Sequence, residues 1–175
     1  MKKLSISIFL LMFLSFSVGT AQKLNCLLYQ QEIESIKNRF VKEDTLVVLN
    51  DFMYYEIDVL KELFIKDFNE NKKCAVGISS FKEYDFSTDT VIYCNFNVDN
   101  VIVANDSFIE KYYYYDNTTS VPTNVVFTNV LFVDNEYAYF RIIVQNLNPG
   151  HFTRWVIFKR NDKEWHLIKS GYSIW

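Results

Sequence analysis

The sequence predicts an α+β domain: two N-terminal helices packed on a mainly antiparallel, curved sheet that ends in a four-strand meander. Three observations carry this expectation. Apolar residues recur at spacings of three and four between Cys26 and Phe68, and alternate at a spacing of two after Cys74. Turn-forming residues then punctuate the last part of the chain at short, regular intervals. Helices first and strands afterwards indicate segregated layers, with both helices on one face of the sheet.

The chain opens on Met1, Lys2 and Lys3, followed by an apolar run from Leu4 to Val18 and the small residues Gly19, Thr20 and Ala21. A short basic segment, an apolar stretch and small residues before a polar Gln22 make up the pattern of a secretory signal peptide. A membrane-spanning helix needs about 20 apolar residues, and this run is shorter and interrupted by serines. The expectation is cleavage after Ala21, with residues 1–21 removed and 22–175 forming one domain. Cys26 follows polar and charged residues rather than the apolar run, which argues against a lipid anchor at that cysteine. The product is therefore expected to be periplasmic or secreted, with no membrane anchor.

Each element follows from its pattern. Cys26, Tyr29, Ile33, Ile36 and Phe40 fall on one helical face, with Gln30, Gln31, Glu34, Lys37 and Asn38 opposite. Residues 45–49 are few and rich in β-branched types, and read as a strand. Met53, Ile57, Leu60, Phe64 and Phe68 repeat the helical spacing, with Asn50 or Asp51 as the cap and residues 69–73 as the stop. Strands are expected at 91–96 and 98–104, with Asp99-Asn100 in or beside the turn between them, while 106–116 fits helix or strand. The meander comprises 125–133, 137–145, 152–160 and 165–170. Its turns are Asp134-Asn135, Asn148-Pro149-Gly150 and Asn161-Asp162. Ala138, Phe140, Ile142 and Val144 share one face of the second of these strands.

The segments Asp134-Asn-Glu-Tyr-Ala-Tyr-Phe140 and Trp155-Val-Ile-Phe-Lys-Arg-Asn-Asp-Lys-Glu-Trp165-His-Leu-Ile-Lys169 resemble the C-terminal meander of small secreted proteins of Bacteroidetes-type bacteria. A similar ending occurs in cystatin-like and NTF2-like cones, in which a curved sheet wraps helices. The resemblance implies an exported bacterial protein and brings no catalytic residues with it.

Composition narrows the function. Loss of residues 1–21 leaves 154 of 175 residues, with sixteen basic against twenty-one acidic side chains, a net charge of −5. No basic stripe is present, so nucleic acid is not expected as a partner. Aromatic residues make up 18% of the chain, which suits a folded core and not a disordered segment. His151 and His166 are the two histidines, and no zinc-type spacing of His or Cys occurs. There is no Gly-x-Ser-x-Gly elbow, and four glycines are too few for phosphate-cradling loops. Asp85, Asp89, Asp99, Asp106 and Asp116 read as turn residues and not as a calcium loop. No catalytic residue, metal site or cofactor is expected.

Three cysteines, Cys26, Cys74 and Cys94, would enter an oxidising compartment. The expected pair is Cys74–Cys94, with Cys26 as a buried filler of the first helix. Tyr112 to Tyr115 run consecutively, and Tyr113 and Tyr115 would share an exposed aromatic face suited to binding a protein or a glycan. Tyr139 and His166 complete the candidate binding set. The expected function is that of a non-catalytic binding module for a protein or glycan partner. Two alternatives compete with it. One is a small-molecule or enzymatic cone pocket using Glu32 or Glu56, Tyr139 and His166; the other is a periplasmic inhibitor or immunity protein. Intact-mass measurement of the exported product should show a chain beginning at Gln22; a mass that retains Met1 overturns the cleavage.

Overall fold

The computed structural model describes residues 24–41, 45–70, 84–89, 94–104, 123–147 and 150–174. Helix α1 covers residues 24–36 and passes directly into one π-helical turn, Lys37–Val41. After it come β1 (Leu46–Met53), α2 (Ile57–Asn69), β2 (Phe86–Asp89), β3 (Val101–Ala104), β4 (Thr123–Thr128) and β5 (Val130–Val133). The chain then runs through β6 (Tyr137–Leu147), β7 (Gly150–Asn161) and β8 (Glu164–Ile174). The α+β class stands, and the sheet is mixed and curled.

Its backbone is the meander. Strand β6 pairs antiparallel with β7, and β7 with β8, over almost their whole lengths. On its other side β6 pairs with two strands in succession, β4 at Ile142–Gln145 and β5 at Tyr137–Tyr139. The single strand expected over 125–133 is thus broken at Asn129. Beyond it, β1 lies parallel to both β4 and β3, while β2 lies antiparallel to β5. The parallel pairs are the part of the sheet that alternation could not reveal.

Parity decides the layers. Before the break, Val125 and Phe127 face α1; after it, Val130 and Phe132 do so, because one extra residue has entered the strand. Phe140 and Ile142 of β6, and Val156 and Phe158 of β7, line the same side and pack on Leu28, Tyr29, Ile33 and Ile36 of α1. The opposite side of the sheet presents Leu131, Val133, Tyr139, Trp155 and Ile157 to Leu60 and Phe64 of α2. Farther along that side, Val47, Leu49, Ala104 and Val126 form a third apolar cluster. The two helices therefore cover opposite faces of the sheet, and the expectation of one shared face is corrected. The physical reason is that the central strands are apolar on both sides, so each face must be covered.

Several local expectations also change. Strand β1 runs on to Met53, which is exposed, and α2 starts at Ile57 with Glu56 in the extended N-cap position. Residues 94–98 are irregular where part of a strand was expected. Val133 pairs with Tyr137, so the first hairpin loop holds three residues, with Asp134 and Asn135 both at positive φ. Asn161 pairs with Glu164, which shifts the last turn to Asp162-Lys163, with Asp162 at φ 54°. Residues 106–116 and the turn at Asn148-Pro149 lie outside the described residues.

A second irregularity lies in β8. Phe158 pairs with Leu167, yet Ile157 pairs with Lys169, so Ile168 is an inserted residue. Trp165, on the α1 side of that insertion, packs against Phe132 with ring centroids 5.9 Å apart. On the other side of the sheet Trp155 lies over Gly171, its cross-strand neighbour. A Cβ at position 171 would come within 2.4 Å of the indole, so only glycine leaves room for the ring.

The disulfide joins Cys26 to Cys94, with Cα atoms 5.4 Å apart, and not Cys74 to Cys94 as expected. Helix α1 lays its Cys26 flank against the segment that leads into β3, and the same contact buries Cys94 completely. Cys74 lies outside the described residues. The bond closes a loop of 68 residues, and the chain-entropy model gives about 4 kcal/mol for constraining it in the unfolded state. Non-reducing peptide mapping should recover the Cys26 and Cys94 peptides linked. Replacing both residues with serine should lower the unfolding free energy by roughly 3–4 kcal/mol in urea; an unchanged midpoint overturns this.

Candidate functional site

Charged side chains within an apolar sheet are costly unless paired, so their partners show which surfaces are closed and which are open. On the α2 side, Tyr139 and Arg141 project from β6 toward Asp67 in the last turn of α2. The Tyr139 hydroxyl donates to Asp67 Oδ2 at 2.6 Å, and Arg141 donates from Nη2 to the same oxygen at 2.6 Å. Arg141 Nε also donates to the Tyr139 oxygen at 2.7 Å. Lys169 of β8 reaches the end of the helix, donating to the carbonyls of Asp67 at 3.0 Å, Phe68 at 2.9 Å and Glu70 at 2.5 Å. A cation there satisfies helix carbonyls and opposes the dipole. The stem of Lys169 lies over Trp155, with Nζ 5.4 Å from the ring centre.

On the α1 side, Glu32 is buried among apolar residues and accepts from Arg154 Nε at 2.7 Å. Arg154 Nη1 donates to the Tyr172 hydroxyl at 2.7 Å, and Arg39 Nη1 donates to the same oxygen at 3.0 Å. Arg39 lies in the π turn, whose wider winding alters which residues follow the buried stripe of α1. Two guanidinium groups therefore meet on one phenol at the outer strand of the sheet.

Protonation follows from these surroundings. Burial, then the Asp67 carboxylate, push the Tyr139 phenol far above its ordinary value of 10.0, so it stays a donor. Burial opposes the charge on Arg141, but Tyr139 and Asp67 more than offset it, and its pKa is raised. Arg154 is raised in the same way, with Glu32 and Tyr172 outweighing burial. Both arginines are permanent cations held within the fold.

What remains open is β8. Among the described residues it pairs only with β7, and it is the outer strand on that side of the sheet. Leu167 is 44% exposed, Ile168 48% and Tyr172 38%. Glu164, His166 and Ser170 are exposed too. Large apolar side chains on an edge strand are a known liability, which proteins keep when the edge has a use.

The expected site residues are distributed as follows. His166 lies on this edge, 3.8 Å from Glu164. Tyr139 is fully buried between α2 and the sheet, so it is corrected from a contact residue to a structural one. Tyr113 and Tyr115 lie outside the described residues. Of the residues considered for a pocket, Glu32 is under α1, Tyr139 is on the other face, Glu56 is exposed at the start of α2 and His166 is on β8. The fold does not bring them together. Leu167, Ile168 and Tyr172 were not singled out from the sequence. The available signal was the Leu167-Ile168 pair beside the charged Lys169, which breaks strict alternation. The chain matches no family model, no curated protein and no solved structure.

The buried phenol fixes a pH response. Because the folded pKa of Tyr139 exceeds the unfolded value, its contribution is complete below pH 10.0 and falls above it. The loss for this one group should approach about 1.4 kcal/mol per pH unit. In alkaline denaturation, Tyr139→Phe should remove that part of the slope, at a cost of about 1 kcal/mol near neutral pH. Parallel slopes for wild type and variant would contradict this.

Proposed function

We propose that this chain is an exported binding module, trimmed of residues 1–21, that holds a protein partner along the open edge of β8. The observation that carries the reading is the exposure of Leu167, Ile168 and Tyr172 on an outer strand that has no strand beyond it among the described residues. An extended segment added to such an edge gains main-chain hydrogen bonds, and alternate side chains supply selectivity. The insertion at Ile168 adds apolar contact surface at the middle of the strand.

Two further observations support this reading. The Cys26–Cys94 disulfide suits an oxidising compartment, as the basic and apolar start of the chain does. The two ionic networks anchor β7 and β8 to both helices, so the edge is a preorganised surface and not a fraying strand. The expectation of a protein or glycan partner rested on Tyr113 and Tyr115, which lie outside the described residues; the exposed apolar side chains of β8 favour a protein. A cone with an internal pocket is compatible with the curled sheet, but its proposed residues are spread over both faces.

The test is capture of partners from the envelope fraction of the source cell, using the trimmed chain and a Leu167→Glu, Ile168→Glu variant. Both positions are exposed, so the melting temperature should hold, with a stability change within about 0.5 kcal/mol per site. A specific partner should be retained by the wild type and lost by the variant. Retention by a stably folded variant would remove β8 from the contact.

A further inference from the structure

Cleavage between Ala21 and Gln22 decides which residue opens the trimmed chain, and that residue is a glutamine. It leaves a free α-amine on Gln22, with the chain running on through Lys23 into Leu24. A glutamine in this position carries its own electrophile, the side-chain carboxamide. Attack of the α-nitrogen on that carbon closes an unstrained γ-lactam. An ordinary α-amino group has a pKa of about 7.7–8.0, so a substantial fraction is the neutral nucleophile near neutral pH. A chain opening instead on Thr20, Ala21 or Lys23 has no amide carbon within reach of its α-nitrogen.

Helix α1 gives that ring a consequence. It begins at residue 24, so the Gln22 nitrogen lies within about 7 Å of the helix, at an extended reach of roughly 3.6 Å per residue. That end of a helix is the positive pole of its dipole, and a cation there is unfavourable. The first turn, Leu24-Asn25-Cys26-Leu27, holds no acidic residue, and Lys23 adds a second positive charge. Glu32, farther along α1, is buried and paired with Arg154. The same turn is one the fold depends on. Leu24 and Cys26 pack on the α1-side core, Asn25 is buried, and Cys26 carries the disulfide to Cys94. Cys26 is the fifth residue of the trimmed chain, close to any enzyme that removes residues from a free amino end.

We propose that Gln22 is a modification site: once exposed by cleavage, it cyclises, and the mature chain opens on pyroglutamate. The inference rests on the cleavage after Ala21 and adds the chemistry of the end it creates. The bond from the α-nitrogen to Cδ forms and the Cδ–Nε2 bond breaks. The departing amide nitrogen takes up the proton that the α-amine gives up and leaves as ammonia. Nothing is oxidised or reduced, and no co-reactant is consumed. The ring removes the terminal cation from the positive end of α1. It also leaves no free amine for an aminopeptidase, which guards the turn that holds Cys26.

The test is mass spectrometry of the N-terminal peptide of the exported protein, with a Gln22→Asn chain beside it. Asparagine is one methylene shorter, and its ring would be too strained to close. The wild-type peptide should begin at residue 22, lack one ammonia and refuse an amine-specific label. The Gln22→Asn peptide should begin at the same position and take the label. A wild-type peptide that begins at Gln22 with a free amine overturns the modification and leaves the cleavage intact. One that begins at any other residue overturns both. An aminopeptidase should shorten the variant and leave the wild type whole; shortening of the wild type overturns the ring. At low salt the variant's unfolding equilibrium constant should be about two- to fivefold larger than that of the wild type. Equal constants overturn the electrostatic role given to the ring at α1.

Discussion

The break at Thr128–Asn129 is the constraint on which the rest of the fold depends. It inserts one residue into the strand opposite β6 and so reverses which side chains face which helix. Polar groups at this buried break are answered from several elements. Tyr29 of α1 donates its hydroxyl to the Thr128 carbonyl at 2.8 Å, and the Arg141 amide donates to Thr128 Oγ1 at 2.9 Å. The Asn129 amide takes the place of a strand neighbour for Tyr55, accepting from its N–H at 2.9 Å and donating to its carbonyl at 3.1 Å. Tyr55 lies on the short link between β1 and α2. One irregular step therefore holds α1, β6 and the start of α2 in register, and buried polar groups that would otherwise be unpaired are satisfied.

The ionic networks continue that logic on each face. Asp67, Tyr139 and Arg141 fasten the end of α2, and Glu32 with Arg154 fastens α1. Each pair is buried, so its value lies less in net stability than in fixing how each helix sits on the sheet. Removing one partner would strand the other in an apolar setting. Both networks terminate on β8, through Lys169 on one side and Tyr172 on the other. The last strand is therefore braced toward both helices while still presenting exposed apolar side chains. An edge braced in this way would have little ordering left to do if a partner bound there.

Much of the local structure was legible in the chain. The spacing of Leu60, Phe64 and Phe68 marks α2, and the alternation of Ala138, Phe140, Ile142 and Val144 marks the face of β6 that meets α1. Helix α1 was legible for a subtler set than its apolar residues alone. Its buried stripe includes Asn25 and Glu32 beside Leu28, Tyr29, Ile33 and Ile36, and two polar members in that stripe obscure it. The exposed edge was less legible. Leu167 and Ile168 look like core residues by type, and only the insertion at Ile168 and the absence of a further strand among the described residues bring them to the surface.

By itself the sequence determined the α+β class and the antiparallel hairpins of the C-terminal meander, because these depend on near neighbours and on composition. Tertiary structure alone decided that the helices lie on opposite faces, that β1 runs parallel to β3 and β4, and that Cys26 takes Cys94. It also placed Tyr139 inside the fold and Tyr172 at its edge. The reason is the same in each case. A strand has two faces, and one inserted residue exchanges them; Asn129 and Ile168 each make that exchange, and no periodicity read along the chain reports it.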